Sequence, residues 1–533
     1  MRNQGLGSWP ERRLRMSPQK PAIWFEGTTT THGEFALAVR RAATVLHDLG
    51  VQRGDRVAWL GANHPVGLEL LYACGQLGAV WVPVNARLTP PEAQYVLQHS
   101  GASVVVHGRE HVGTAEVLRP QLPGVTHWLS AEPAPDVDHR DVQAGHAADR
   151  GSPAADADDH HQEGSLPWWE LTAAADAVLR DEAVTHDDVC LVMYTSGTTG
   201  KPKGAVLTHG NMTWACLNQV LSLEGGPDER TLGLAPLFHV GGLNGTVNPT
   251  LLRGGCVVLV RGFDPAGTLQ VISEQRVTSF FAVPTMMDAL ARQPGFATLD
   301  LSALRTVAAA GAPLPLPLLH TWLDRGITVQ QAYGMTETAP AGTMLDSADA
   351  VAKVGSAGKS QFFVDVRVVR PDGTECAPGE IGEVVLSGPN VMQGYWDAPE
   401  ATAAVLVDGW YHSGDAGSVD DEGYLTIRDR YKDMIISGGE NVYPAEVEST
   451  MLELPEVQEV AVIGVPDAHW GEVGLAVVVP TPGTVPDPEA LRAALRERLA
   501  GFKVPKHVRF VTELPKTATG KVRKPDLRAE LAP

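Results

Sequence analysis

"YTSGTTGKPKG", residues 194–204, stands between two apolar runs, "VCLVMY" at 189–194 and "AVLTH" at 205–209. The runs predict two strands. From 195 on, the connection supplies three threonines, one serine, three glycines and two lysines. Glycines let backbone N–H groups turn toward an anion, hydroxyls add donors, and lysines neutralise charge. It is not a Walker A loop, because Gly197 and Gly200 stand too close together and Lys201 is followed by Pro202. The loop reads as phosphate-binding, with a flexible linker as the alternative. A second loop of this kind, "PKTATGKVRK" at 515–524, frames Lys521 behind Gly520. Alone, it reads as either a phosphate loop or a basic tail.

Outward from the first loop, helix and strand patterns alternate. "EFALAVRRAATVLHDLG" (34–50) has apolar residues at helical spacing and ends on Gly50. "DRVAWLG" reads as a strand, and "PVGLELLYACGQLGAVWVPV" as helix then strand. Asn211 is placed to cap a helix over "MTWACLNQVL". Further strands are predicted at "GCVVLV", "VTSFFAV", "RTVAAA" and "TVQQAY", as in sheets covered by helices. Around 353–427 short strands alternate with Gly, Pro and Asp turns, the texture of an antiparallel sheet or barrel. The last stretch runs strand, helix, strand, strand, helix, strand, an α+β pattern of domain size. The expected fold is therefore α/β, with a large N-terminal domain of helix-covered mixed sheets and a β-barrel-like subdomain over 1–429. A small α+β domain follows over 430–533, with its junction at the charged "RDRYKD" (428–433). The 133–163 segment has eight acids against two arginines and reads as a mobile surface loop. His160 and His161 beside Asp158 and Asp159 leave a metal reading open, behind that of a solvated loop.

A length of 533 residues exceeds the ~250–300 at which single cores split. The net charge of −21 argues against nucleic acid, whose binding rests on cationic contacts to phosphate. Five scattered cysteines form no C-x-x-C pair, which fits a reducing cytoplasm rather than a disulfide framework. Cys190 and Cys256, inside apolar runs, are expected in the core. No stretch reaches the ~18 apolar residues of a membrane span, and "MRNQGLGSWPERRLRMSP" lacks a signal peptide's apolar core.

"YTSGTTGKPKG" resembles the phosphate loop of the adenylate-forming superfamily. Seven further motifs follow in that family's order: "PLFHVGG" (236–242), "AGAPLP" (310–315), "YGMTET" (333–338), "GYW" (394–396), "WYHSGD" (410–415), "DRYKDMIISGGENVYPAEVE" (429–448) and "PKTATGKVRK" (515–524). The resemblance runs from about residue 20 to the end, apart from 133–163, and is most like bacterial fatty-acyl-CoA ligases. It implies a ligase that joins a carboxylate to ATP, releases pyrophosphate, and passes the acyl group to the coenzyme A thiol. Its partners would be ATP, Mg2+, coenzyme A and a small carboxylic acid; a homodimer is left open.

Residue by residue, the resemblance implies that Thr195, Ser196, Gly197, Thr198, Thr199, Gly200 and Lys203 hold the β- and γ-phosphates. Glu337 would ligate Mg2+, a hard cation suited to carboxylate oxygen; outside the motif it would read as surface charge. Tyr333, with Gly334 and Thr336 in the same motif, would stack on adenine, and Gly311, Ala312 and Pro313 would form the facing wall. Asp415 would accept from the ribose hydroxyls, and Arg430 would add a planar donor fork. His239, by itself a common core residue, would gate between acyl pocket and thiol channel, near Gly241 and Ala310. Lys521 would reach carboxylate and α-phosphate together. The small domain would then turn about Lys432, withdrawing Lys521 and bringing in Gly438 and Gly439.

Two motifs depart from the family pattern: one has Ser413 where threonine is common, the other Ala309 and Ala310 where glycines are frequent. The first is expected to be neutral; the second bears on pocket shape. The alternatives to a fatty-acyl ligase are an aryl-acid CoA ligase, an enzyme loading a carrier protein, and a nucleotide sensor without turnover. An amino-acid adenylating enzyme would usually offer an aspartate in 236–246, and none stands there.

Overall fold

Thr31 and Glu34 start the first long helix by exchanging bonds. The Glu34 N–H donates to Thr31 Oγ1 over 3.2 Å and the Thr31 N–H to Glu34 Oε2 over 2.8 Å. This reciprocal cap opens His32–Asp48, two residues ahead of the predicted start, and left-handed Gly50 (φ +84°) follows its end. In the computed structural model the described residues are 2–132, 164–195, 202–223, 225–226, 228–311, 314–430, 433–437, 440–467, 470–499, 501–517 and 522–531. For Asp429, Arg430, Ile436, Glu440 and Asn441 the description covers the backbone only. The 133–163 segment, with His160 and His161, lies outside these residues, as does Lys432.

The chain divides into two units. The first comprises Met1–Met212 with Leu237–His239 and Tyr395–Asp397. In its sheet, Lys203–Thr208 pairs antiparallel with Val189–Thr195. Parallel neighbours follow in the order Val80–Val84, Arg56–Leu60, Ala102–His107, His127–Ser130 and Leu166–Pro167. Val80–Val84 is buried at every position, as expected of a strand covered on both faces. The helices Pro65–Leu77 and Pro90–Ser100 connect strands of this sheet, and Val96, Leu97, Val82 and Trp128 belong to one buried cluster.

The next helix, His209–Ser222, is capped differently from the prediction. Thr208 is the capping residue, and its Oγ1 accepts from the Asn211 N–H. The Thr208 N–H in turn donates to Asn211 Oδ1 over 2.9 Å. Asn211 therefore stands inside the first turn, in the position that a glutamate fills in the usual reciprocal cap.

The second unit comprises Thr213–Pro236, Val240–Gly394 and Ala398–Pro533. Its parallel strands run in the order Cys256–Leu259, Arg230–Gly233, Ser279–Ala282, Thr306–Ala309 and Thr328–Tyr333. Thr343–Met344 and Lys359–Ser360 add antiparallel edges. The turn-rich region forms the expected antiparallel sheet from Asp365–Val369, Gly382–Ser387, Trp410–Val419, Leu406–Val407 and Leu425–Arg430.

Near the carboxyl terminus a mixed sheet is built on the long antiparallel pair Val457–Asp467 and Gly471–Pro480. Alternate residues feed two cores. Val460, Val462 and Val478 pack with Val447, Met451 and Leu491, whereas Ala461, Ile463 and Val477 pack with Leu514, Leu527 and Leu531. Two covered faces explain why "VQEVAVIGV" is apolar almost throughout. No disulfide joins the five cysteines, and Cys190 and Cys256 are buried as expected. Among the described residues, no helix is long and apolar enough to cross a membrane and no cluster of metal-ligating side chains occurs.

Candidate active site

In the first unit, antiparallel register sets Tyr194 opposite Gly204 and Thr195 opposite Lys203, so the two strands hold both ends of the quoted loop. Thr195 Oγ1 donates to the Lys203 carbonyl over 3.4 Å. The Lys203 ammonium lies 5.1 Å from the centre of the Tyr395 ring. The Trp396 N–H donates to the Gly204 carbonyl over 2.7 Å. A β-carbon at 204 would stand 2.6 Å from Val192 Cγ1, so the residue opposite Tyr194 has to be small. Ser196, Gly197, Thr198, Thr199 and Gly200 lie outside the described residues.

His239 packs against Phe238, ring centres 4.7 Å apart, and its Nε2 is buried with no hydrogen-bond partner among the described residues. Burial first, and the Arg87 charge second, lower its pKa to about 4. The ring is therefore neutral at pH 7, which suits a packed or gating imidazole better than a charged one. The segment carrying it is tied down by the Leu237 N–H, which donates to buried Asn63 Oδ1 over 2.8 Å.

In the second unit, Tyr333 Oη donates to Asp415 Oδ2 over 2.7 Å. Asp415 is buried, and its N–H donates to Ser413 Oγ, which in turn donates to the Val384 carbonyl over 2.6 Å. These bonds need only a hydroxyl at 413, so serine serves in place of threonine. Arg430 pairs with Asp415 across the backbone ladder, while its side chain is outside the description.

Glu337, 8% exposed, sits in the tight turn Thr336–Thr338. Four bonds pin the chain around it. The Met392 N–H donates to the Glu337 carbonyl over 2.8 Å. Asn390 Nδ2 donates to the carbonyls of Thr338 and Ala341, and Asn244 Nδ2 to that of Ala339. Asn244 lies in a wide helical turn, Leu243–Val247, that directly follows "PLFHVGG"; such π-turns are frequent at functional sites. Sequence reading missed Asn244 and Asn390, because buried asparagines carry no motif of their own. Gly334 is a point of close approach: a β-carbon there would stand 1.6 Å from the Pro340 carbonyl oxygen.

Gly311 is left-handed (φ +86°) and follows half-buried Ala310; Ala312 and Pro313 lie outside the description. A β-carbon at Gly241 would meet the Phe281 ring at 2.9 Å.

The carboxyl-terminal loop is closed at its base. The Arg523 N–H donates to the Pro515 carbonyl, and Lys516 bridges Val522 across the backbone. Lys516 pairs with Glu459 at 2.6 Å and Lys524 with Glu448 at 2.8 Å. The basic residues flanking the loop are thus spent on structure. Lys521 itself, Gly438 and Gly439 lie outside the described residues.

A mixed α/β body followed by a small α+β domain, with eight motifs in this order, defines an adenylate-forming enzyme. Its acyl-CoA synthetase branch comprises AMP-forming acid–thiol ligases. The chain belongs to the AMP-binding enzyme family. That family's model matches residues 10–396, and the model of the AMP-binding enzyme C-terminal domain matches 446–521. The chain is 50% identical over 528 residues to a feruloyl-CoA synthase of Amycolatopsis sp., covering 99% of each. It is 38% identical to the long-chain-fatty-acid–CoA ligase FadD13 of Mycobacterium tuberculosis, over 99% of this chain and 98% of the other. Among solved structures it resembles o-succinylbenzoate coenzyme A synthetase from Bacillus subtilis in complex with ATP and magnesium ion. There the TM-score is 0.82 and the identity 32%, over 98% of this chain and 99% of that one. The protein is an acyl- or aryl-CoA ligase using ATP, a carboxylic acid and coenzyme A.

Proposed function

We propose that the acid is aromatic, of the hydroxycinnamate class, and that the enzyme makes its CoA thioester. The observation that carries this reading is the 50% identity, end to end, with a feruloyl-CoA synthase, against 38% with a long-chain fatty-acid ligase. The fatty-acyl reading suggested by motif texture thereby gives way to the aryl alternative. Loading of a carrier protein has no comparable support.

Within that reaction, Thr195, Ser196, Gly197, Thr198, Thr199, Gly200 and Lys203 bind the β- and γ-phosphates. Tyr333, with Gly334 and Thr336, and Gly311, Ala312 and Pro313 bracket the adenine, while Asp415 and Arg430 hold the ribose. The Tyr333–Asp415 bond supports this reading, since the carboxylate is held in place beside the aromatic ring. Glu337 suits Mg2+ because it offers a hard oxygen donor on a pinned turn. Bound Mg2+ would offset phosphate charge. Lys521 stabilises charge in adenylate formation, and rotation about Lys432 brings Gly438 and Gly439 in for thioester formation. His239, Gly241 and Ala310 border the acyl and thiol paths. The small domain over 430–533 is the moving part, and the cytoplasm is the compartment.

Pyrophosphate release measured with ferulate, indoleacetate and palmitate, with and without coenzyme A, tests the assignment. Turnover highest with ferulate and dependent on coenzyme A is expected. Preference for palmitate would restore the fatty-acyl reading, and release without thioester would favour a carrier-protein acceptor.

A further inference from the structure

The helix Pro90–Ser100 touches both ends of the phosphate loop. His99, in its last turn, places Nδ1 2.8 Å from Tyr194 Oη, one residue before Thr195. Tyr95, one turn earlier, donates from Oη to the Pro202 carbonyl over 3.3 Å, one residue before Lys203. The two rings stack, centres 5.2 Å apart, as side chains four residues apart on a helix can. Burial first, and Tyr95 second, push the Tyr194 phenol pKa up, so Tyr194 keeps its proton and can donate to His99. The helix is itself well anchored: Thr89 and Glu92 exchange capping bonds, left-handed Gly101 (φ +65°) ends it, and Val96 and Leu97 are in the core.

We propose that Tyr95 and His99 are positioning residues that clamp the two strand ends flanking the 195–203 loop from one helix, setting Thr195 and Lys203 for the β- and γ-phosphates of ATP. The inference rests on the ATP-binding assignment of that loop. Backbone pairing already joins Thr195 to Lys203. The two side-chain bonds add what pairing alone does not supply: they fix the hairpin end against a helix of the same unit. Neither residue need touch nucleotide for this. Their influence should be felt where the β- and γ-phosphates bind and not where adenosine binds.

Comparing ATP with AMP therefore separates a clamp from general packing. Dissociation constants for Mg-ATP and for AMP would be measured by calorimetry on the whole protein and on Tyr95→Phe and Tyr194→Phe. Each substitution removes one hydroxyl and keeps the ring. ATP binding is expected to weaken about fivefold in either variant, the loss of one ordinary hydrogen bond, with AMP binding unchanged. Equal weakening for ATP and AMP, or no weakening of either, would overturn the clamp. A wild-type protein that binds neither nucleotide would instead strike the ligase reading itself, and the clamp with it.

Discussion

Tyr333 and Asp415, 82 residues apart, are joined by a 2.7 Å hydrogen bond from phenol to buried carboxylate. In the proposed complex the same carboxylate accepts from ribose, and an ionised carboxylate has lone pairs for both bonds. Asp415→Ala should therefore cost more than Tyr333→Phe. Bonds to a charged partner are worth about 1.5–3 kcal/mol, or roughly 10- to 100-fold. The KM for ATP in pyrophosphate release should rise by that factor for Asp415→Ala and by less than about tenfold for Tyr333→Phe. The acid KM should barely move.

Burial acts alike on the side chains of His239 and His209. Burial holds both pKa values at about 4, Arg87 assisting at His239, while Arg53 and His186 oppose Asp188 at His209. In the unfolded chain each would titrate near 6.5. Between pH 6.5 and 4 the unfolded state therefore binds more protons, and stability falls as pH drops through that window. The contribution is complete above about pH 6.5. His239→Asn should flatten the loss, narrowing the difference in unfolding free energy between pH 7 and 4 by about 3 kcal/mol. Urea titrations at pH 7, 5.5 and 4 would show it; an unchanged slope would mean that the ring is solvated.

Glu229 and Arg253 pair at 2.9 Å with side chains 3% and 14% exposed. Ser279 Oγ also donates to Glu229, and Arg253 donates to the Leu223 carbonyl, so each partner is held by a network. Breaking such a pair leaves an uncompensated buried charge, at about 3–5 kcal/mol. Glu229→Ala should lower stability by that amount in urea unfolding. The double change Glu229→Leu with Arg253→Met should lose less than the single one, because no buried charge is left over.

Much of this was open to sequence reading, and the reason is periodicity. Val80–Val84 and Val457–Asp467 have covered faces, and continuous apolar runs announce such strands. The strand pair around 195–203 was legible because two apolar runs flank a connection rich in glycine and hydroxyls. What stayed hidden depends on pairs distant along the chain. Asn244 and Ala339 are 95 residues apart, His99 and Tyr194 are 95 apart, and neither helix advertises a partner. Asn211 was recognised as a capping residue, yet one turn late, since Thr208 and Asn211 both suit that end. Identity of the acid was not legible either. Phe281, which crowds Gly241, comes to it by packing rather than by motif.

Lys521 gives the sharpest test of a divided reaction. The base of its loop is fastened by the Arg523–Pro515 bond and by the pairs Lys516–Glu459 and Lys524–Glu448. In the proposed scheme Lys521 stabilises adenylate formation only while the small domain presents it, and it leaves before the thiol approaches. Lys521→Ala should lower pyrophosphate release by ~10²–10³, as loss of a preorganised charge-stabilising donor does. Thioester formation from synthetic feruloyl-adenylate and coenzyme A should stay within about twofold of wild type, since no phosphoryl transfer remains to be assisted. Rapid-quench measurement of the two half-reactions separates these outcomes. Equal loss in both would mean that Lys521 stays at the site throughout, and the two-position scheme would have to be abandoned.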